Sequence, residues 1–149
     1  MNKMYFLAGA VAMAGAAVIF KMAGDRPNDV GPSAQGQAAL EAGAPIVTVK
    51  VPAEFSSGAR LGQKAFTAKC AACHGADAGG REGSAPPLVH KIYEPSHHGD
   101  ESFQLAVKNG VRAHHWKFGN MPLVDGLTRG DVKGIVAYIR ELQRENGIN

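Results

Sequence analysis

Cys70-Ala71-Ala72-Cys73-His74 is the stretch whose reading decides the fold. A C-x-x-C-H run reads as a covalent haem attachment site: two thiols add to the vinyl groups of one haem, and the adjacent histidine becomes an axial iron ligand. On a helical turn this spacing brings both sulfurs and the imidazole to one porphyrin. The chain has only these two cysteines. A four-cysteine zinc site is therefore impossible, and no H-x-x-x-H pattern follows to complete a site of two cysteines and two histidines. A thioredoxin-like C-x-x-C belongs in a βαβ context, which the flanking sequence lacks. With haem attached, no thiol is left for a disulfide framework. Further on, Gly119-Asn120-Met121-Pro122 offers Met121 as the ligand opposite His74. A His/Met pair fills both axial positions and raises the potential.

Working outward, the segment Met4 to Phe20 is an apolar run rich in Ala and Gly, bounded by Lys3 and Lys21. It is short for a spanning helix but longer than the core of a typical signal peptide. Ala12-Met13-Ala14 offers a cleavage site, yet the apolar run continues past it without a polar break. An uncleaved signal-anchor helix over residues 1–23 is the expectation. Flanking charge does not orient it, because basic residues stand on both sides. Haem of the c type is ligated outside the cytoplasm, which places the carboxy-terminal domain in the periplasm of a bacterial inner membrane. Residues 24–53 are rich in Gly, Pro, Ala, Ser and Gln and read as a flexible linker. Within it, Ile46-Val47-Thr48-Val49-Lys50-Val51 has β-propensity and could lie extended on the domain surface before Pro52. A flexible chain of about thirty residues reaches on the order of 30 Å.

Residues 54–149 read as one compact α domain. Ser57 is expected to cap a helix over about Gly58–Cys70, with Leu61, Ala65 and Phe66 as its apolar face. Asp100 is expected to cap a second helix carrying Phe103, Ala106 and Val107 and ending at Asn109-Gly110. The strongest pattern is the last. Thr128 and Asp131 form a variant capping box, and Val132, Ile135, Val136, Ile139 and Leu142 make one apolar stripe ending at Asn146-Gly147. The formal net charge is +3 with both signs interspersed, so no nucleic-acid footprint is present.

From about Ala53 to Glu145 the chain resembles the class I c-type cytochromes. The resemblance rests on Gly62-x-x-x-Phe66 ahead of Cys70, on Cys70-Ala71-Ala72-Cys73-His74-Gly75, on Pro86-Pro87-Leu88 and on Ile135-Val136-Ala137-Tyr138-Ile139. It departs from the family at Ala85, where glycine is usual. It implies an all-α cytochrome c fold around one covalent haem c, preceded here by the transmembrane helix and linker. It also implies that Gly62 lets the first and last helices approach, with Phe66 and Tyr138 packed at the crossing. Cys70 and Cys73 would form thioethers. His74 would bind iron through Nε2 and donate from Nδ1 to the carbonyl of Pro86, and Met121 would supply the distal sulfur.

Other residues keep two readings. Trp116 is either a donor to a haem propionate, helped by Arg112 or His115, or an aromatic lid. His90, His97, His98, His114 and His115 read individually as surface histidines or as partners of a ligand, although any one could replace Met121 at the iron. Together, His97-His98 and His114-His115 could bind a second metal such as copper. Lys64, Lys69 and Lys117 are either a docking patch for an acidic partner or ordinary solvated surface. The resemblance implies an electron carrier rather than an enzyme, shuttling single electrons from a quinol:cytochrome c oxidoreductase to a terminal oxidase or reaction centre. The alternatives are a haem subunit of a periplasmic dehydrogenase and a ligand-binding or peroxidatic haem protein, the last of which needs an open distal position.

Overall fold

The computed structural model describes residues 40–149. Four helices follow one another: α1 (Ser57–Lys69), α2 (Ala71–His74), α3 (Asp100–Asn109) and α4 (Arg129–Glu145), with a 3-10 turn at Lys91–Tyr93 between α2 and α3. Among the described residues there is no β-strand; two isolated antiparallel bridges, Arg81 with Ala85 and Val111 with Met121, tie loops together. The architecture of the described residues is all-α. The helix expected over residues 1–23 lies outside the described residues. Among the described residues, no helix is long and apolar enough to cross a membrane.

The frame is the crossing of α1 and α4. α1 starts one residue earlier than its sequence indicates, because Ser56 rather than Ser57 is the cap: its hydroxyl oxygen accepts from Ala59 N–H at 3.2 Å. The same hydroxyl donates to Glu141 Oε1 at 2.7 Å, so the cap of the first helix is held by a carboxylate of the last. The face of α1 that is buried comprises Ala59, Gly62 and Phe66, whereas Leu61 is 68% exposed, contrary to its expected place on the apolar face. At the crossing a Cβ on Gly62 would fall 1.8 Å from the carbonyl oxygen of Gly134, so only glycine allows this approach. Tyr138 sits between Phe55 and Phe66, with ring centroids 5.1 and 5.4 Å away. Buried Ile135, Ile139 and Leu142 extend that core along α4.

The capping box of α4 forms as its sequence indicates: Asp131 N–H donates to Thr128 Oγ1, and Thr128 N–H donates to Asp131 Oδ2 at 2.8 Å. Asp100, by contrast, is the first residue of α3 rather than its cap. Gly99 holds the cap position without a side-chain bond, and Asp100 pairs instead with Arg140 Nε at 3.0 Å.

The expectation of a flexible linker through residue 53 does not hold for its carboxy-terminal part. Gly43 N–H donates to Glu82 O at 2.8 Å, Glu82 N–H returns to Ala44 O at 2.9 Å, and Val47 N–H donates to Gly79 O at 3.0 Å. The side-chain amide of Asn146 then accepts from Lys50 N–H at 2.9 Å and donates to Lys50 O at 2.8 Å, as a strand partner would. The extended run containing Val49, which packs against the core, is thus a strap laid over the domain. Residues 24–39 lie outside the described residues.

Candidate functional site

The site begins where α1 gives way to α2. Cys70 closes α1 by donating its N–H to Phe66 O at 2.7 Å, and its own carbonyl accepts from Cys73 N–H and His74 N–H at 3.1 and 2.9 Å. This single turn puts Cys70, Cys73 and His74 along one edge of a short helix. Gly75, at φ +81°, ends it. Both cysteines are free thiols, Cys70 half-buried and Cys73 exposed. Burial, reinforced by the neighbouring Cys73, pushes the Cys70 thiol up to about 11.

His74 is buried, and burial holds its imidazole below the usual histidine range, partly opposed by the Pro86 carbonyl. The ring is neutral near pH 7. Its Nδ1 lies 2.9 Å from Pro86 O. A carbonyl can only accept, so Nδ1 carries the proton and Nε2 keeps its lone pair, the form a metal ligand requires. Pro86 follows a tight loop in which Arg81 N–H donates to Ala85 O at 2.9 Å and Ala85 N–H returns to Arg81 O at 3.1 Å. Ala85 is accommodated because its φ is not positive; among described non-glycine residues only Ala78 adopts that conformation.

Met121 approaches from the other side of the sequence. Its backbone is locked by reciprocal N–H to O bonds with Val111, 2.9 Å each way, and Asn120 Oδ1 accepts from Ala113 N–H at 2.9 Å to close the loop between them. Cys70, Cys73, His74, Pro86, Trp116 and Met121 all line a single cavity of about 510 Å³, whose floor comes from Phe66, Ile135 and Ile139. That volume is of the size that holds a cofactor.

Trp116 lies between Phe118, stacked at 5.9 Å, and His90, edge-on at 5.2 Å. Its indole Nε1 is buried and has no hydrogen-bond partner. The nearby Tyr93 hydroxyl, whose ionisation burial opposes, does not reach it with acceptable geometry. An orphaned donor in an apolar cavity is costly unless an acceptor enters with a ligand. The donor set suits an apolar macrocycle bearing acidic side chains: two thiols, one neutral imidazole, one thioether and one unsatisfied N–H on an otherwise apolar wall.

Of the remaining candidates, Lys64 and Lys117 are exposed, and Lys69 Nζ donates to Asp125 O at 3.2 Å. His90 turns back on its own loop, where Nδ1 accepts from Ile92 N–H at 3.2 Å. His97-His98 and His114-His115 converge rather than pointing apart. Sequence reading did not single out Arg140 and Gln143, yet both are buried and hold carbonyls of residues that line the cavity. Arg140 Nη1 donates to Tyr93 O at 2.7 Å, and Gln143 Nε2 donates to Leu88 O at 2.8 Å. Their only signal was position, since each falls beside the apolar stripe of α4.

The family model described as Cytochrome c matches residues 59–143, more than half of the chain. No curated protein sequence matches it.

Proposed function

This chain belongs to the cytochrome c family, and from that premise we propose that it is a membrane-tethered monohaem electron carrier with its haem domain in the periplasm. The observation that carries the proposal is one apolar cavity lined by two free thiols, a neutral imidazole and a methionine. Bound haem supplies reversible one-electron exchange between ferric and ferrous iron. Cys70 and Cys73 would hold the macrocycle through thioethers. His74 presents Nε2, with its tautomer fixed by the Pro86 carbonyl. Met121 would present its sulfur from a loop pinned at Val111. The apolar walls would exclude water and favour the less charged state of the iron, and Trp116 Nε1 would donate to a propionate. Were His74 and Met121 both to hold the iron, the chain would leave no open position for a substrate, which supports carriage over catalysis. The apolar run Met4 to Phe20 supports the tether. The partners this reading implies are a quinol:cytochrome c oxidoreductase as donor and a terminal oxidase or reaction centre as acceptor.

The test is the optical spectrum of the reduced protein before and after carbon monoxide, with the intact mass. An unchanged spectrum and the mass of one covalently held haem are expected. A prompt spectral shift at neutral pH would mean an open distal position and would turn the reading to ligand binding.

A further inference from the structure

Two histidine pairs far apart in sequence meet at one corner of the domain. Ligand nitrogens of His97, His98 and His115 all lie within 4.8 Å of one another, and the ring of His114 lies 4.2 Å from that of His115. We propose that these three histidines, with His114 as a fourth imidazole, bind one divalent ion of the copper or zinc class, separate from the haem iron.

The tautomers point the same way. His98 Nδ1 lies 2.6 Å from Ile92 O, and His114 Nδ1 lies 2.8 Å from Arg112 O. Each ring therefore donates Nδ1–H to a carbonyl and keeps the Nε2 lone pair, the arrangement by which backbone acceptors orient metal-bound histidine. No carboxylate pairs with any of these rings among the described residues. A neutral, all-imidazole donor set selects copper and zinc over magnesium or calcium, which take oxygen ligands. Bonds of about 2.0–2.1 Å would place tetrahedral nitrogens roughly 3.3 Å apart, so small side-chain rotations close the present spacing. His97 and His115 are exposed and free to make them, and they leave the ion an entry path.

The scaffold under the cluster is rigid. Both His97 N–H and His98 N–H donate to Glu94 O, at 3.1 and 2.8 Å. The buried guanidinium of Arg140 donates to His98 O. On the other segment the Val111–Met121 bridge fixes the loop that carries His114 and His115. Imidazoles crowded without acidic partners repel one another once protonated and add little to stability. An ion shared between them gives the crowding a use. His98, His114 and His115 also line the haem cavity, whereas His97 does not.

The test uses the haem-loaded full chain, stripped with a chelator and equilibrated with Cu(II) alone and with Zn(II) alone. One copper or one zinc per iron is expected, with an unchanged haem spectrum. His97→Ala and His115→Ala should each weaken retention at least about tenfold, the low end of what even indirect changes at metal sites produce. In the unaltered protein, Zn(II) should protect these histidines from diethyl pyrocarbonate, a readout independent of any variant's folding. Failure to retain metal, retention indifferent to both substitutions, or equal modification with and without Zn(II) would each overturn the site. A haem spectrum that changes on metal addition would assign an imidazole to the iron and overturn a separate site. None of these outcomes depends on the carrier reading, which the carbon monoxide test decides.

Discussion

A Cβ placed on Gly62 would meet the carbonyl oxygen of Gly134 at 1.8 Å, whereas one placed on Gly134 would meet Gly62 Cα and N at 3.3 Å. The helix crossing is therefore asymmetric. Gly62→Ala must push α1 and α4 apart and should cost about 3 kcal/mol or more. Gly134→Ala needs a shift of only a few tenths of an ångström and gains helix propensity of about 1 kcal/mol, so its net effect should be much smaller. Denaturant unfolding of the two variants checks this; equal losses would refute the asymmetry.

Met121→Ala should remove the sulfur without dismantling the loop, since Val111 and Met121 pair through backbone atoms alone. Carbon monoxide should then bind the reduced protein, and the potential should fall. A variant that stays six-coordinate at an unchanged potential would show that Met121 is not the ligand.

Arg140 is buried while its partner Asp100 is 72% exposed, so removing either end of the pair has different costs. Arg140→Met leaves the His98 carbonyl without its donor, removes one of the two donors to the Tyr93 carbonyl, which keeps Gln143 Nε2, and should cost about 3 kcal/mol. Asp100→Asn keeps an oxygen that can accept from Arg140 Nε and removes the counter-charge only at the exposed end of the pair, so it should cost less, about 1 kcal/mol. Chemical denaturation of both variants gives the comparison.

The capping box predicts an acid dependence. The Thr128 hydroxyl and then its backbone N–H hold the Asp131 carboxyl below its ordinary 3.8. A group whose pKa is lowered by folding stabilises the native state above the unfolded value and loses that contribution as pH falls through the folded value. The stability difference between the unaltered chain and Asp131→Asn should thus be present at pH 7 and shrink below pH 3.8. Thr128→Ala should cost about 1 kcal/mol at neutral pH. Thermal unfolding across pH 2–7 would reveal a constant difference if the box were irrelevant.

What could be read from the sequence was whatever is local. Cys70, Cys73 and His74 share one turn, and the stripe from Val132 to Leu142 follows the helical period, so both announce themselves. Ser56 was missed for Ser57 because two adjacent serines are equivalent until Glu141 selects one. Gly134 carries no signal of its partner in the sequence, since only the fold sets Gly62 against it. Arg140 and Gln143 were not legible because periodicity cannot tell a polar face that meets loop carbonyls from one that meets water. The strap at 43–50 pairs with loops and one asparagine side chain, which leaves no strand partner in the pattern. The histidine cluster depends on two loops whose meeting no local signal encodes.

Because the crossing that frames the cavity joins the first and last helices, the order of synthesis matters. Ile135 and Ile139, which floor the cavity, leave the ribosome long after Cys70, Cys73 and His74. No nascent fragment ending before α4 can bury Phe66 or close the pocket. Non-local contacts of this kind form late. Cys70 is therefore presented on an open chain until the core it packs against is complete, whereas Cys73 stays exposed in the folded domain.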